Sequence, residues 1–457
     1  MVTNSGFVRS LSVSIASAWI LGACGGGGNE AALSGANAST VEGAQEAVDR
    51  TPLPRSYSVR FIEGPGGRSA TLGPLDQNRR IMNSKGEFIA MFADESGSPQ
   101  AYFDSGGETT AILADWCLQS SSVPWSMNES GLVVGSFDEG VPSKSQSFAW
   151  SLGSRVRDPW ASALVDTGSA TFVTDSGFVG GNVCVTSDGF CYSLLWGAWH
   201  EYSLYLQPLL AVNEKLFMLG WARDGRPETD PDSQVLALSL AGGTEPTEVE
   251  PEFRRSSLRA ETASITDDTT IVVDASVAPE PLVPGAIVIA VEGELLPYAP
   301  LVFRPQNIGQ VASPPAGVSV TSDVADVFNV HRAGHVVGRH MLTYVDASGV
   351  THTEQHGYHW SSEAGSTPIS VGNMVMPVSP HSVNGKAIVV GEADQRAFVW
   401  SKPSGGFLLD TLLARSAPQA SLRRAVVIGD GGHIIAETQD LRLVLLTPST
   451  EPSVGEP

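Results

Sequence analysis

Residues 127–150 read MNESGLVVGSFDEGVPSKSQSFAW, and the order of residue types in this segment decides the fold. It opens with Asn, two polar residues and Gly, continues with an apolar run ending in Gly, and closes with Phe-x-Trp. Asn favours a tight turn because its side chain bonds the backbone two residues on, and Gly supplies the positive φ. The apolar run suits a strand covered on both faces. The segment therefore predicts a turn, a buried strand, a loop and a second strand.

This order of residues occurs eight times. The turn-and-strand portions begin at residues 82, 127, 173, 212, 265, 328, 383 and 428. Repeats of roughly 45 residues in an all-β sequence are typical of the blades of a β-propeller. The sequence therefore predicts an all-β propeller of eight blades, or of seven if the fifth unit is an insertion.

The two ends of the repeat region predict how the ring closes. The eighth unit ends at RLVLLTP, residues 442–448, without a fourth strand, and the region begins with the unattached strand SYSVRFIEG at residues 56–64. Pairing these segments removes two exposed strand edges. We therefore predict a single propeller domain at residues 53–449, closed by its N-terminal strand.

The second strands of three units carry aromatic pairs, which we predict to pack between blades and not to form a binding platform. The pairs are Phe148/Trp150, Tyr358/Trp360 and Phe398/Trp400.

Two units, at residues 127–150 and 383–400, resemble most closely the extracellular HAF-family repeats of secreted bacterial proteins. The resemblance implies a β-propeller-like repeat domain outside the cytoplasm and carries no catalytic residues. The fourth and fifth units depart from the pattern, because Leu216 and Thr269 stand where Gly is expected and Asp274 ends the apolar run.

The N-terminus predicts export. Residues 8–24, VRSLSVSIASAWILGAC, contain one Arg, an apolar run too short to span a bilayer, and small residues before Cys24. The segment LGAC resembles the lipobox of bacterial lipoproteins. That resemblance implies a signal peptide at residues 1–23, cleavage before Cys24, and lipid such as palmitate on Cys24. Gly25 in place of Asp implies an outer-membrane address, facing the periplasm or the cell surface.

Composition defines the remaining segments and excludes one class of partner. Residues 24–52 are rich in Gly, Ala, Ser and Glu and predict a flexible tether, and residues 450–457 predict a disordered tail. A formal net charge of −22 without a basic stripe argues against binding nucleic acid. We expect a monomer that meets the membrane through its lipid.

A binding surface is predicted where loops vary in length. In an up-and-down blade, the connections between the second and third strands lie on the same face of the ring as those between blades. Binding residues concentrate on such loops. The candidate ligand-binding residues there are Asp138, Glu139, Arg223, Asp224, Arg226, Asp230 and Asp232, and a solvated rim is the simpler alternative.

A histidine-rich hairpin gives the candidate metal site. YVDASGV predicts a type I turn with a left-handed Gly349, so that Tyr344 faces His352, Leu342 faces Glu354 and His340 faces His356. His340, Glu354 and His356 would then share one strand-pair face, an arrangement suited to Zn²⁺ or a similar ion. Ordinary surface histidines are the alternative, and a register slip of one residue would separate the three side chains.

The cysteines suggest one disulfide. Cys184 and Cys191 flank VTSDGF, and a four-residue loop would set them opposite one another, whereas a bulged turn would put them on opposite faces. Cys117 is predicted to be a buried thiol.

The sequence contains no G-x-S-x-G, no P-loop and no S-x-x-K with its partners. We therefore predict an envelope binding module for a glycan, a cell-wall fragment or an envelope protein, without a cofactor apart from the candidate divalent metal. The alternative is a glycan hydrolase or lyase on the same scaffold, which a funnel lined by carboxylates with an Arg or His would favour; a plugged channel would favour binding. A third hypothesis is that the protein is a purely structural scaffold.

Overall fold

The computed structural model describes residues 52–64, 66–73, 79–112, 121–138, 145–154, 167–185, 190–197, 201–204, 208–223, 234–240, 246–249, 253–276, 278, 281–292, 301–309, 311, 313–372, 377–417 and 420–453. For residues 185, 190–192, 201–204, 223 and 259–262 only the backbone is described. In this part of the chain the strands form eight sheets, which are the eight blades of a propeller. The eight-blade prediction is confirmed, and the fifth unit is a complete blade.

The strands run in chain order through blades I to VIII, and the first strand belongs to the last blade. They are β1 (Ser56–Phe61) in blade VIII; β2 (Glu63–Gly64), β3 (Arg68–Thr71), β4 (Phe88–Ala93), β5 (Pro99–Ser105) and β6 (Glu108–Ala111) in blade I; β7 (Ser122–Met127), β8 (Val133–Asp138) and β9 (Ser145–Trp150) in blade II; β10 (Thr167–Val173), β11 (Val179–Val185), β12 (Phe190–Trp196) and β13 (Glu201–Leu204) in blade III; β14 (Leu209–Val212), β15 (Phe217–Arg223), β16 (Gln234–Leu240) and β17 (Thr247–Glu248) in blade IV; β18 (Leu258–Ile265), β19 (Ile271–Ala275), β20 (Gly285–Glu292) and β21 (Val302–Asn307) in blade V; β22 (Ser319–His331), β23 (His335–Val345), β24 (Thr351–Ser361) and β25 (Gly365–Pro368) in blade VI; β26 (Val378–Val383), β27 (Val389–Ala393), β28 (Arg396–Ser401) and β29 (Gly405–Leu408) in blade VII; and β30 (Leu422–Ile428), β31 (Ile434–Thr438) and β32 (Leu443–Ser449) in blade VIII. Short 3-10 helices occupy Arg255–Ser257 and Leu409–Leu412.

The ring closes through β1, as predicted. This strand pairs antiparallel with β32, with Ser56 opposite Ser449. Arg60 of β1 also donates two hydrogen bonds, of 3.0 and 2.7 Å, to the fully buried carboxylate of Asp104 in blade I. The N-terminal strand therefore completes blade VIII and ties it to blade I.

Part of the segment that we predicted to be a disordered tail lies against blade VIII. Ser453 is 4% exposed and forms an isolated bridge with Ala414, and Ser56 donates its hydroxyl to the carbonyl of Glu451. The contacts continue the packing of the closing strand. Residues 454–457, the signal segment 1–23 and residues 24–51 of the tether lie outside the described residues.

The Asn side chain of the motif hydrogen-bonds both to the backbone of its own turn and to the backbone of the next blade. Asn128 Oδ1 accepts hydrogen bonds from the backbone N–H groups of Ser130 (3.1 Å) and Leu132 (2.9 Å). Its Nδ2 donates to the carbonyl of Thr174 in blade III, at 3.0 Å. Asn213 and Asn384 repeat this arrangement in blades IV and VII. The side chain therefore satisfies buried backbone groups in two blades at once.

The Gly that ends the apolar run faces the motif's aromatic ring. Gly135 is directly opposite Phe148, and a Cβ at Gly135 would lie 2.3 Å from that ring and 2.4 Å from the carbonyl oxygen of Val123. Gly391 faces Phe398 in the same way. The predicted packing role of the aromatic pairs is confirmed, since Phe148 and Phe398 are fully buried and Trp150 and Trp400 nearly so.

The irregular fourth and fifth units keep the turn geometry at the expense of strain. Leu216 and Thr269 take φ values of 63° and 74°, close to the 82° of Gly131 in blade II. Asp274 replaces the motif's second Gly, and its Oδ2 accepts a hydrogen bond from the backbone of Val327 in blade VI at 3.3 Å. The tertiary packing of the ring therefore overrides local preference at these positions.

The hydrophobic core lies between blades. One cluster joins Trp221 and Phe253 to Ile271 and Ile289 across the IV–V interface. Another joins Val337 of blade VI to Phe398 and Trp400 of blade VII. Among the described residues, no helix has the length and apolar character needed to cross a membrane.

Candidate functional site

The ring has two unlike ends, which we name by their connections. The turn face carries the eight motif turns, each of which leads into the strand with the motif's apolar run. The loop face is the opposite end, where that strand leads to the next. At the loop face, blade VI has longer strands than its neighbours. At the turn face, a group of charged side chains lies near the axis of the ring.

Most of the acidic loop residues predicted to bind ligand lie outside the described part of the chain. Asp138 is described: it is exposed at the end of β8 and accepts a 3.0 Å hydrogen bond from the hydroxyl of Ser121. Arg223 is described through its backbone alone, as the last residue of β15. The remaining candidates are not described; they are Glu139, Asp224, Arg226, Asp230 and Asp232. The acidic loop site stays a prediction.

Blade VI extends well past its neighbours at the loop face. Its strand β23 has 11 residues, whereas the equivalent β27 in blade VII has 5. We call residues 319–325 and 340–356 the arm; they form the outer part of β22, β23 and β24. Five further residues of β23 beyond His340 correspond to about 17 Å of strand. Residues 319–323 and 347–353 of the arm are exposed.

The predicted register of the arm hairpin is confirmed. Tyr344 is opposite His352, Leu342 opposite Glu354 and His340 opposite His356. The turn closes through the N–H of Asp346 donating to the carbonyl of Val350, at 3.0 Å. Gly349 has a φ of 83°, as the bulged turn requires.

Of the three candidate metal ligands, Glu354 and His356 contact each other, whereas His340 is engaged elsewhere. Glu354 accepts a 2.7 Å hydrogen bond from the hydroxyl of Tyr344 and lies 3.3 Å from Nε2 of His356. His340 instead pairs its Nε2 with Asp323. The hydrogen bond from Tyr344 holds the pKa of Glu354 below its ordinary value. Within the described residues, no group of three His, Cys, Asp or Glu side chains is arranged to hold a metal ion.

Cys184 is disulfide-bonded, and the residue opposite it in the strand register is Cys191. The backbone therefore has the alignment that the four-residue loop predicted. The pairing of these two cysteines stays a prediction, because the side chain of Cys191 is not described. Cys117 lies outside the described residues.

All eight blades line a cavity of about 130 Å³ on the axis of the ring, toward the turn face. Apolar and hydroxyl side chains form its wall, among them Phe172, Val330 and Ser382. Charged side chains stand at its mouth. We call these the mouth cluster: Arg80, Glu129, Asp175, Glu214, Asp267, His331, Arg332 and Asp430.

The carboxylates of the mouth cluster fasten successive blades. Each comes from the second position of a motif turn and accepts the backbone N–H of the preceding blade's turn. The bonds are Ser84 N to Glu129 (3.0 Å), Glu129 N to Asp175 (2.9 Å), Asp175 N to Glu214 (2.6 Å), Glu214 N to Asp267 (3.1 Å) and Gly385 N to Asp430 (2.7 Å). Hydrogen bonds to an ionised carboxylate are among the stronger ones in proteins.

Two arginines supply the counter-charge. Arg80 Nη1 lies 3.2 Å from Glu129 and 2.7 Å from Asp175. Arg332 pairs with Asp175 and lies 3.5 Å from Glu214. Burial works to raise the pKa of Asp175, but hydrogen bonds from the backbone of Glu129, from Arg80 and from Arg332, together with the charge of Arg80, outweigh it, so that this pKa lies below its ordinary value.

His331 has both ring nitrogens occupied. Its Nδ1 accepts the backbone N–H of Ala333 at 3.1 Å, so the proton is on Nε2, which faces Asp430 at 3.2 Å. Burial works to raise the pKa of Asp430, but the hydrogen bond from His331, together with contributions from groups such as the backbone N–H of Gly385, leaves this pKa below its ordinary value. The pair therefore has no free nitrogen to act as a base toward a substrate.

Sequence reasoning missed the mouth cluster, although a signal was present. The second positions of the eight motif turns are Ser84, Glu129, Asp175, Glu214, Asp267, Arg332, Gly385 and Asp430. Five carboxylates and one Arg at equivalent positions of a closed ring must meet near its axis. The Asn and Gly positions that define the motif lie on either side of this second position and do not themselves indicate the charged cluster.

Neither a family model nor a curated protein matches the chain. Solved structures that resemble it include an oligogalacturonate lyase in complex with manganese (12% identity, TM-score 0.42, 86% of this chain and 97% of the lyase). Others are a Mycobacterium tuberculosis puromycin-hydrolyzing peptidase (13%, 0.36, 82% and 61%) and virginiamycin B lyase from Staphylococcus aureus (8%, 0.30, 86% and 99%). At these identities and TM-scores we draw no functional argument from them. The HAF and lipobox resemblances stay resemblances of motif.

Proposed function

We propose that this propeller is a binding module of the bacterial cell envelope that contacts a glycan, a cell-wall fragment or another envelope protein through its loop face. The observation that carries the proposal is the arm of blade VI. It is the one part of the described loop face where regular strands continue past the ring, and it presents exposed polar side chains such as Thr351, His352 and Thr353.

The opposite face supports binding over catalysis. Its carboxylates are already bonded to backbone N–H groups and arginines, and the pKa values of Asp175 and Asp430 lie below the ordinary value. A glycosidase needs a carboxylic acid whose pKa is raised so that it can donate a proton. The mouth cluster contains carboxylates with Arg and His, as the enzyme alternative requires, but holds them in structural contacts.

Anchoring at the outer membrane is part of the same proposal and rests on LGAC at residues 21–24. Lipid on Cys24, followed by a flexible tether, would leave the propeller free to turn its loop face toward a partner. We expect labelled palmitate to enter the wild-type protein and not Cys24→Ser. We also expect that variant to move from the membrane fraction to the soluble fraction. Membrane retention of Cys24→Ser would contradict the anchor.

The binding test shortens the arm. His340 and His356 are directly opposite each other, so an Asn-Gly turn can join them in place of residues 341–355 with the register intact. Both versions would carry Cys24→Ser. Each is sedimented with purified peptidoglycan sacculi and tested for thermal shifts with soluble cell-wall fragments and oligosaccharides, since a ligand of the native state raises the midpoint.

We expect one of these probes to bind the full-length protein and to bind the short-arm variant at least tenfold more weakly. A matched control is Lys85→Ala, an exposed change on the turn face, which should bind as wild type does. Equal binding by the short-arm variant would remove the arm from the site. Turnover of any oligosaccharide would favour the enzyme alternative.

A further inference from the structure

We propose that Arg332 is an electrostatic latch that crosses the mouth of the axial cavity and fixes blade VI to blades III, IV and V. This role is independent of what the loop face binds. It differs from the fastening by Asn and carboxylate side chains, which joins each blade only to its neighbour.

The contacts of Arg332 reach unusually far around the ring. The guanidinium comes from the motif turn of blade VI and pairs with Asp175, which lies 157 residues earlier in the chain, in blade III. The same side chain lies 3.5 Å from Glu214 in blade IV and 4.0 Å from Asp267 in blade V. A single cation therefore contacts carboxylates of three blades other than its own.

The chemistry of the site suits a guanidinium. Arg332 presents a planar fork of donors to several carboxylates, and its side chain is 29% exposed. Burial works to lower the pKa of Arg332, while the hydrogen bond to Asp175 and the charges of Asp175 and Asp267 raise it by more. Removing the cation would leave partly buried carboxylates facing one another, with Arg80 as one remaining counter-charge.

The backbone prepares this placement. Asp267 donates its N–H to the carbonyl of Arg332 at 2.7 Å, so blade V holds the main chain of the latch residue. The turn of blade VI has His331 in place of the motif's Asn, and His331 binds Asp430 of blade VIII at 3.2 Å. The turn is therefore held from both sides while Arg332 extends over the cavity.

The test compares Arg332→Ala with Arg339→Ala in thermal unfolding. Arg339 is a matched control because it pairs with Asp326 at 2.7 Å in the same blade, with a side chain 32% exposed, yet does not cross the axis. We expect Arg332→Ala to lower the midpoint by roughly 5 °C, and Arg339→Ala by about 1 °C. Millimolar methylguanidinium should restore part of the loss in Arg332→Ala and none in Arg339→Ala.

The pH dependence separates an ion pair from simple packing. Because the pKa of Asp175 is lowered in the folded state, its stabilisation is present above the ordinary carboxyl pKa and lost as pH falls through the folded value. The hydrogen bond from Arg332 is one of the smaller causes of this lowering, after those from the backbone of Glu129 and from Arg80, so the deficit of Arg332→Ala should shrink in part as pH falls below about 4. If Arg332→Ala does not fold, Arg332→Met, which keeps the aliphatic stem, serves for the same comparison. A midpoint equal to wild type, or a deficit that neither methylguanidinium nor acid reduces, would overturn the latch.

Discussion

Blades VI and VII lie side by side, share the motif and pack on each other, yet only blade VI extends beyond the ring at the loop face. Gly338 faces Tyr358 in blade VI as Gly391 faces Phe398 in blade VII. Beyond this shared part, blade VII stops after two more residues of β27, whereas β23 continues to Val345. The motif therefore builds the inner half of a blade and leaves its loop-face end free to vary.

Blade VI also departs from blade VII inside the shared part. His331 and His335 replace Asn384 and Ile388, and His359 replaces Val399 between the two aromatics. Two hydrophobic positions of blade VII, Ile388 and Val399, are thus occupied by titratable side chains in blade VI. Replacements that make one blade resemble the other can separate what the motif requires from what blade VI has added.

The largest loss of stability is expected where the two blades agree. A Cβ at Gly338 would lie 1.9 Å from the carbonyl oxygen of Asp326, and one at Gly391 would lie 2.1 Å from that of Ser379. Neither carbonyl can move without breaking its strand pair. We expect Gly338→Ala and Gly391→Ala each to lower the free energy of unfolding by at least about 3 kcal/mol in urea titrations.

Gly180 in β11 provides the control for this pair of substitutions. A Cβ there would meet only side-chain atoms, the nearest being Leu209 Cδ2 at 3.1 Å, and these can shift. Gly180→Ala should therefore cost about 1 kcal/mol or less. A similar loss in all three variants would mean that the close approach of the neighbouring carbonyl does not explain the motif's Gly.

The next effect depends on pH and arises from His359. This fully buried side chain lies 3.2 Å from His335, and its ring centroid is 5.8 Å from that of Trp400 in a tilted arrangement. Lys402 is a further charge that acts on it. Burial lowers its pKa to about 3, and the charge of His335 adds to the shift. Because the folded pKa is below the unfolded value of 6.5, the stabilisation is complete above pH 6.5 and is lost toward pH 3.

We expect His359→Val, which copies Val399 of blade VII, to reduce this acid sensitivity. Between pH 8 and pH 5.5 the wild-type protein should lose about 1.4 kcal/mol of unfolding free energy more than the variant. Urea titrations at the two pH values measure the difference without requiring equal stability at pH 8. Equal losses in the two proteins would mean that folded His359 takes up its proton as readily as unfolded His does.

A smaller effect on stability is expected at the fourth residue of the motif turn, where blade VII has Ala in place of the usual Gly. Ala387 has a φ of 55°, whereas the equivalent Gly334 of blade VI has a φ of 85°. A residue with a Cβ is strained in this left-handed region of φ, whereas Gly is not. Gly offsets part of that advantage because it loses more conformational entropy on folding. Ala387→Gly should gain about 0.5 kcal/mol and Gly334→Ala should lose about 1 kcal/mol. A loss from Ala387→Gly would show that packing of its methyl group outweighs the strain.

The sequence predicted the features that repeat. Asn128 and its equivalents, the Gly residues and the aromatic pairs predicted eight blades and the closing strand, and the turn chemistry around Gly349 predicted the arm's register. Each of these depends on contacts within one or two neighbouring units. The latch could not be found in that way, because Arg332 and Asp175 come together only when the whole ring is closed. The separate engagement of His340 and Glu354 depends likewise on Asp323 and Tyr344, which the register alone does not select.

The smallest effect on stability is expected where the two blades differ most. Leu342 and Tyr344 of the arm are buried, but the described hydrophobic clusters between blades contain none of residues 340–356. Joining His340 to His356 through Asn-Gly should therefore change the free energy of unfolding by less than about 1 kcal/mol, as measured in urea, while binding at the loop face is lost. A large drop in stability would show that the arm supports the ring, and the shared part of blades VI and VII would then not suffice to hold blade VI.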